Sequence, residues 1–279
     1  METQDGWLVR GKQTLRSICP QPILNWREAQ FYARFGEVEL HLLEFLCRRG
    51  EDSIDVGAND GAYVHFLRRY SKRVVAYEPL PWLARALEQK FGEDVVIINL
   101  ALSASAGTAR LRVPVVNGVR VSGCSSLSDE APHIYGQTDE IEVAMDALDN
   151  VYFGKVGFIK IDVEGYEESV LAGAQNTIRK NRPRMLVESD ERMAPGGLER
   201  IWRYFHDLEY RGFFIDKGKV KPVEAFDPAI YQQRHNLPDL TAPLQKRERF
   251  GSYIYNFMFF PSTEVETVLK PIQERLNHL

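Results

Sequence analysis

Apolar positions change their period several times along this chain. From Trp26 to Arg49, Phe31, Phe35, Val38, Leu42, Phe45 and Leu46 recur at helical spacing, and Gly50 after Arg48-Arg49 reads as the stop. The stretch before it, residues 1–25, mixes Pro, Gly and charge without a period and predicts an irregular lead-in. Short, near-continuous apolar runs follow at Ser53–Val56, Val74–Tyr77, Val95–Ile98, Gly157–Ile161 and Met185–Val187. Such runs, separated by helix-length segments, are the mark of parallel strands covered on both faces. The intervening Leu80–Phe91 opens with Pro81 in its first turn and is rich in Leu, Ala, Glu and Lys, which predicts a helix. Glu167–Arg179 and Leu198–Tyr210 predict two more. Phe213–Ile215 reads as a strand, and the aromatic-rich Tyr253–Phe260 closes the sheet.

Residues 101–150 behave differently. Thr108–Val113 and Glu140–Met145 read as strands around a Gly/Ser-rich loop, which predicts a small β insertion between the third and fourth core strands. Residues 216–252 are rich in Pro, Lys and Arg with little periodicity, and so long a connection is often a lid or substrate loop. The expected organisation is a lead-in and helix over 1–50 and one α/β domain over 51–279. Right-handed crossovers then give an open doubly wound sheet with a ligand crevice at the carboxyl ends of its strands.

Composition narrows the function. Hydrophobic residues at 44% and charged residues at 27% suit a folded domain. A net charge of −4 gives no support to wholesale binding of nucleic acid. No run approaches the roughly 18 apolar residues of a membrane span. The first residues lack a signal-peptide pattern, and Cys19, Cys47 and Cys124 are scattered, so a cytoplasmic location is expected. The six histidines show no metal-ligand spacing; His133 and His235, in loops, are candidate bases.

Three motifs carry the candidate chemistry. Asp55-Val-Gly57-Ala-Asn59-Asp60-Gly61 directly follows the first strand. Its glycines allow a sharp turn and close approach of a ligand to bare backbone. It lacks the middle glycine of the dinucleotide fingerprint, and its carboxylates suit a cationic ligand better than a pyrophosphate. Glu78 ends the second strand, where an acid can accept hydrogen bonds from a ribose diol. Ile159-Lys160-Ile161-Asp162-Val163-Glu164-Gly165 ends the fourth strand. Lys160 and Asp162 share a face because side chains alternate; Lys160 either forms a structural ion pair or acts directly. Glu188 ends the fifth strand, where it either pairs with Lys160 or shares a divalent cation such as Mg with Asp162. Asp162 is alternatively a general base.

The segments "IDVGANDGAY", "VVAYEPLP", "NLALS", "GCSSL", "FIKIDVEGYEESVLAGA" and "RPRMLVE", in order over residues 40–190, resemble the FkbM-type methyltransferase family. The resemblance implies a Rossmann-like class I fold with a seven-stranded sheet and an antiparallel last strand. It implies S-adenosylmethionine as cofactor and methyl transfer, commonly to a hydroxyl of a sugar, glycan or secondary metabolite. By it, Asp55, Gly57 and Asn59 line the methionine end of the cofactor, with Gly61 closing the loop, and Glu78 holds the ribose. Asn99, Leu100 and Ser125-Ser126 lie near the adenosine or the mouth. Asp162 and Glu164, with Lys160, face the methyl-transfer region. The expected partner is a small-molecule or glycan acceptor, with a homo-oligomer also allowed. Two rivals stand beside this reading: a nicotinamide-dependent oxidoreductase, and a binding protein that kept the fold without the chemistry.

Overall fold

A computed structural model describes residues 20–116, 118–128, 136–237 and 250–279. Its centre is a mixed sheet of strands β1 (Asp52–Val56), β2 (Val74–Tyr77), β3 (Val96–Ile98), β8 (Val156–Ile161), β9 (Arg184–Glu188), β10 (Tyr210–Asp216), β11 (Lys219–Pro222) and β12 (Asn256–Pro261). Their order is β11-β10-β12-β9-β8-β1-β2-β3. Successive strands are added outward in one direction from β1 through β2 to β3 and in the other from β8 to β9, so the winding sense switches between β1 and β8, which pair in parallel with Asp55 opposite Lys160 and Val56 opposite Ile161. A doubly wound sheet opens its ligand crevice at such a switch point. β12 runs antiparallel between β9 and β10. That is the Rossmann-like class I arrangement the sequence implied.

The sheet has eight strands rather than seven. β11 is the addition, and it comes from the 216–252 segment expected to lack regular structure. Lys217 (φ 49°) and Gly218 (φ 78°) form a two-residue turn with both φ values positive, the geometry that folds a strand straight back on its neighbour. β11 therefore pairs with β10, Asp216 opposite Lys219. The segment continues through short helical turns at Val223–Ala225, Pro228–Tyr231 and Arg234–Asn236. Residues 238–249 lie outside the described residues, as does His133.

Helices α1 (Gln21–Phe35), α2 (Val64–Tyr70), α3 (Pro81–Phe91), α4 (Glu167–Ala172), α5 (Gln175–Asn181), α6 (Gly197–Asp207) and α7 (Val265–Leu276) cover both faces, with single turns at Val38–His41, Leu43–Leu46 and Leu148–Val151. One core joins the α1, α2 and α7 side to Phe158, Leu186, Met258 and Phe260. The other joins α4, α5 and α6 to Ile54, Val56, Ile159, Ile161, Phe257 and Phe259.

Two expected helices are broken, each at a glycine. The Trp26–Arg49 helix begins earlier, at Gln21 behind Pro20, and stops at Gly36. A Cβ there would sit 2.6 Å from the Tyr32 carbonyl oxygen. The Glu167–Arg179 helix divides at Gly173, where a Cβ would sit 1.9 Å from the carbonyl oxygen of Ser103. Ser103 follows β4 (Ala101–Leu102) of the insertion, whose sheet has the order β4-β7-β5-β6 with β5 at Gly107–Val116, β6 at Val119–Arg120 and β7 at Thr138–Asp146. The insertion packs its own small core of Leu111, Val113 and Val143 onto Leu80 and Ala101. The amphipathic α7, with Val265, Val268, Ile272 and Leu276 buried, was not anticipated. Among the described residues, no helix is long and apolar enough to cross a membrane.

Candidate active site

Backbone geometry at three strand ends builds the site. Beyond β1 the amides of Gly57 and Ala58 both donate to the carbonyl of Tyr77, at 3.0 and 3.1 Å. The Asp162 amide donates to the Val56 carbonyl at 3.0 Å. Gly57 has φ +79°, and a Cβ on it would lie 1.9 Å from the Asp162 carbonyl oxygen. The loops after β1 and β8 thus touch through bare backbone, which only glycine permits. Two further residues take left-handed conformations that side-chain-bearing residues rarely adopt, Asn59 (φ 46°) and Glu164 (φ 51°).

These loops, the end of β2 and the insertion enclose one cleft. Gly57, Asn59, Glu78, Leu100, Ser125, Asp162 and Glu164 all line it, with Tyr77, Leu111, Ser122 and Tyr166. Other expected site residues stand behind the wall. Asp55 is buried at the end of β1. Gly61 faces Leu87 and Phe91 of α3. Asn99 donates its side-chain amide to the carbonyls of Glu78 and Pro79, at 2.9 and 2.8 Å. Ser126 is fully buried, and its hydroxyl donates to the Glu164 carbonyl. It pins the insertion to the loop after β8. Ser122 and Leu111 were not anticipated, because the insertion reaches the cleft only through its packing; Tyr166 lies inside the segment after β8 but was not singled out.

Glu78 has a double structural duty. Its Oε2 accepts the Asn59 amide at 2.8 Å and its Oε1 accepts the Leu80 amide at 2.9 Å. Burial pushes its carboxyl up to about 7; the two amides oppose this, and the nearby Asp55 and Asp162 add to it. Each oxygen keeps a lone pair free for a further donor.

Below the cleft, one face of the sheet carries a buried charged cluster. Lys160 donates to Asp162 Oδ2 at 2.8 Å and lies 3.8 Å from Asp55 Oδ1. Its ammonium also sits 4.6 Å from the centre of the Tyr63 ring. Burial alone would lower the Lys160 pKa, but Asp162, Asp55 and Glu37 together raise it. Asp55, buried, is pushed up to about 6 despite Lys160. Glu37, from the turn after α1, accepts the Tyr63 hydroxyl at 2.5 Å and the Asn256 side-chain amide at 3.2 Å. Lys160 is therefore an ion-pair partner, and its partner is Asp162 rather than Glu188. Glu37, Tyr63 and Asn256 come from distant parts of the chain and were not singled out from the sequence. Asp162, Glu164 and Glu188 each place a carboxylate oxygen within 4.8 Å of the others. Burial first, then Asp162, holds both the Glu164 and Glu188 carboxyls well above the usual range; Glu167 and Asp190 add to this at Glu164, and Glu164 and Glu37 add to it at Glu188.

The sequence model of the family described as "Methyltransferase FkbM domain" matches residues 55–212, more than half of the chain, and spans every wall of the cleft. The chain belongs to the FkbM methyltransferase family. This is a family of S-adenosylmethionine-dependent methyltransferases. No curated protein sequence matches the chain. Among solved structures, a methyltransferase FkbM from Methylobacillus flagellatus KT aligns at 16% identity and TM-score 0.49, over 83% of this chain and 50% of that one. The FkbM chain described here thus spans about half the length of that protein. A Streptococcus mutans chain described as a methyltransferase, in complex with SAH, aligns at 10% identity and TM-score 0.40, over 80% and 94% of the two chains. An S-adenosylmethionine-dependent O-methyltransferase from Thermotoga maritima aligns at 12% identity and TM-score 0.37, over 78% and 61%.

The walls of this FkbM cleft fit S-adenosylmethionine on their own chemistry. Gly57 removes the side chain where the chain must come closest to a ligand. Glu78 offers two oxygens with spare acceptor capacity, as a ribose diol requires. The Asp162 carboxylate supplies negative charge in the same cleft, where a sulfonium cation would be favoured.

Proposed function

We propose that this protein transfers a methyl group from S-adenosylmethionine to a hydroxyl oxygen of a sugar, glycan or secondary-metabolite acceptor. The observation that carries the reading is the joint presence, in one cleft, of the Gly57–Asn59 loop, Glu78 and the exposed side of Asp162. In this reading Gly57 and Asn59 hold the methionine end and Glu78 holds the ribose, while Leu100 and the Ser125 loop border the adenosine.

The bound cofactor supplies an electrophilic methyl group, so the chain's task is to orient and desolvate the acceptor. A protonated hydroxyl is a weak nucleophile and gains from a base within hydrogen-bond reach. Asp162 takes that role: it lines the cleft, where its carboxylate would accept the acceptor's proton as the methyl passes from sulfur to oxygen and S-adenosylhomocysteine is left. Lys160 holds Asp162 in place from below at 2.8 Å, and Glu164 borders the same region. The acceptor is a small molecule or a glycan chain end, entering past the insertion.

Asp162→Asn tests this reading. Turnover should fall by at least about a thousandfold, in the range expected for loss of a general base, while SAH binding by calorimetry stays within tenfold of wild type. Turnover unchanged in the variant removes Asp162 from the chemistry.

A further inference from the structure

We infer that Asp162, Glu164 and Glu188, with the side-chain oxygen of Asn256, form a binding site for a hard divalent cation of the Mg2+ class beside the methyl-transfer cleft. The site stands on its geometry, and only its role in catalysis rests on the O-methylation reading above.

Three observations converge. The first is the ligand set: each of the three acids brings an oxygen within 4.8 Å of the other two. Side-chain oxygens alone are the donors preferred by Mg2+ and Mn2+ over softer metals. Among the described residues, the carboxylates of Glu164 and Glu188 have no hydrogen-bond or ion-pair partner. Lys160 takes only Oδ2 of Asp162.

The second is an orphaned oxygen. Asn256 is 7% exposed, and its Oδ1 has no hydrogen-bond partner, although its amide nitrogen donates to Glu37. It lies directly opposite Glu188 across the β9–β12 ladder. Opposed residues share a face with their Cβ atoms about 5 Å apart, so the Asn256 and Glu188 side chains are neighbours on one face of the sheet. A buried amide oxygen without a donor is costly, and a cation held by the neighbouring acids would satisfy it.

The third is the absence of a pairing cation among the described residues. Glu37 and Asp55 add to the three acids on this side of the sheet. Lys160 is committed to Asp162 and Asp55, and Arg192, which also acts on Glu164, is gripped by Asp190 at 2.5 Å. Neither side-chain cation pairs with Glu164 or Glu188, and a bound metal ion would take the place of the protons their burial favours.

Beside the cleft, such a cation would take the acceptor's oxygen as a further ligand and lower its pKa, easing proton loss to Asp162. An acceptor with two adjacent oxygens, a vicinal diol or an α-hydroxy carbonyl, would chelate it and be favoured.

Chelator-stripped full-length protein titrated with Mn2+, with free metal read by electron paramagnetic resonance, tests the site. The expected result is one saturable site per chain. Glu188→Gln should weaken it at least tenfold and Asn256→Ala at least threefold, while Glu168→Gln, an exposed acid on α4, leaves it unchanged. Should Glu188→Gln fail to melt cooperatively, Glu164→Gln serves in its place with the same expectation. Absence of saturable Mn2+ binding, or equal affinity in the Gln variant and wild type, overturns the site. SAH calorimetry on the metal-free protein is run in parallel. Lost SAH binding with Mn2+ binding intact would defeat the methyltransferase reading and leave the cation site standing; the reverse would defeat the site alone.

Discussion

At Gly57 a single hydrogen atom decides whether two loops can meet. A Cβ would lie 1.9 Å from the Asp162 carbonyl oxygen, and φ is +79°. Gly57→Ala should cost at least about 2 kcal/mol in urea denaturation and abolish SAH binding. Gly50 has a similar φ of +87° with nothing near its Cβ position. Gly50→Ala should therefore cost only the conformational term, about 1 kcal/mol, and leave SAH binding intact. Glu39 presents a different residue-level effect. Burial, reinforced by Glu37, pushes its carboxyl from 4.5 up to about 8. The folded chain keeps this proton while the unfolded chain loses it. The associated stability is whole below about pH 4.5 and drains away as pH rises toward 8. Glu39→Gln should thus match wild type near pH 4.5 and exceed it by at least about 1 kcal/mol at pH 8; a stability gap that does not widen with pH would refute the assignment.

Elements show where local pattern and tertiary demand part company. The core strands were legible because strands buried on both faces must be largely apolar, as β1, β2 and β8 are but for the Asp52, Ser53, Asp55 and Lys160 positions. The two broken helices were not legible, because Gly36 and Gly173 carry no periodic signal; each marks a close approach visible only in three dimensions. β12 is buried at every position, and its Phe259 stacks on Phe205 of α6 with ring centroids 4.4 Å apart. Phe259→Ala should cost about 3–5 kcal/mol, measured by the denaturation midpoint, and leave the SAH affinity of the remaining folded protein within a few-fold of wild type.

For the whole molecule, the crevice at the β1–β8 switch point makes cofactor binding and stability one equilibrium. SAH at a hundred times its Kd should stabilise the protein by about 2.7 kcal/mol, a clear rise in melting temperature, and NAD at the same concentration should give none. A shift with NAD alone would favour the oxidoreductase alternative. The net charge of −4 conceals an uneven distribution. Carboxylates concentrate around Lys160, a feature that an average over the chain cannot reveal.

The order of the core strands β1, β2, β3, β8 and β9, the glycine loop after β1, the acid ending β2 and the acids ending β8 and β9 were all set by the sequence itself. Period-two and near-continuous apolar runs, turn residues and strand-end positions are local properties, and a chain displays them without folding. Tertiary structure alone decided which of those acids share space. It brought Glu188 to Asp162 and Glu164, gave Lys160 to Asp162, and set Glu37 and Asn256, from opposite ends of the chain, against the same cluster. Those contacts depend on strand register and on packing over long separations, where burial sets the strength of each charge, and no local pattern encodes either.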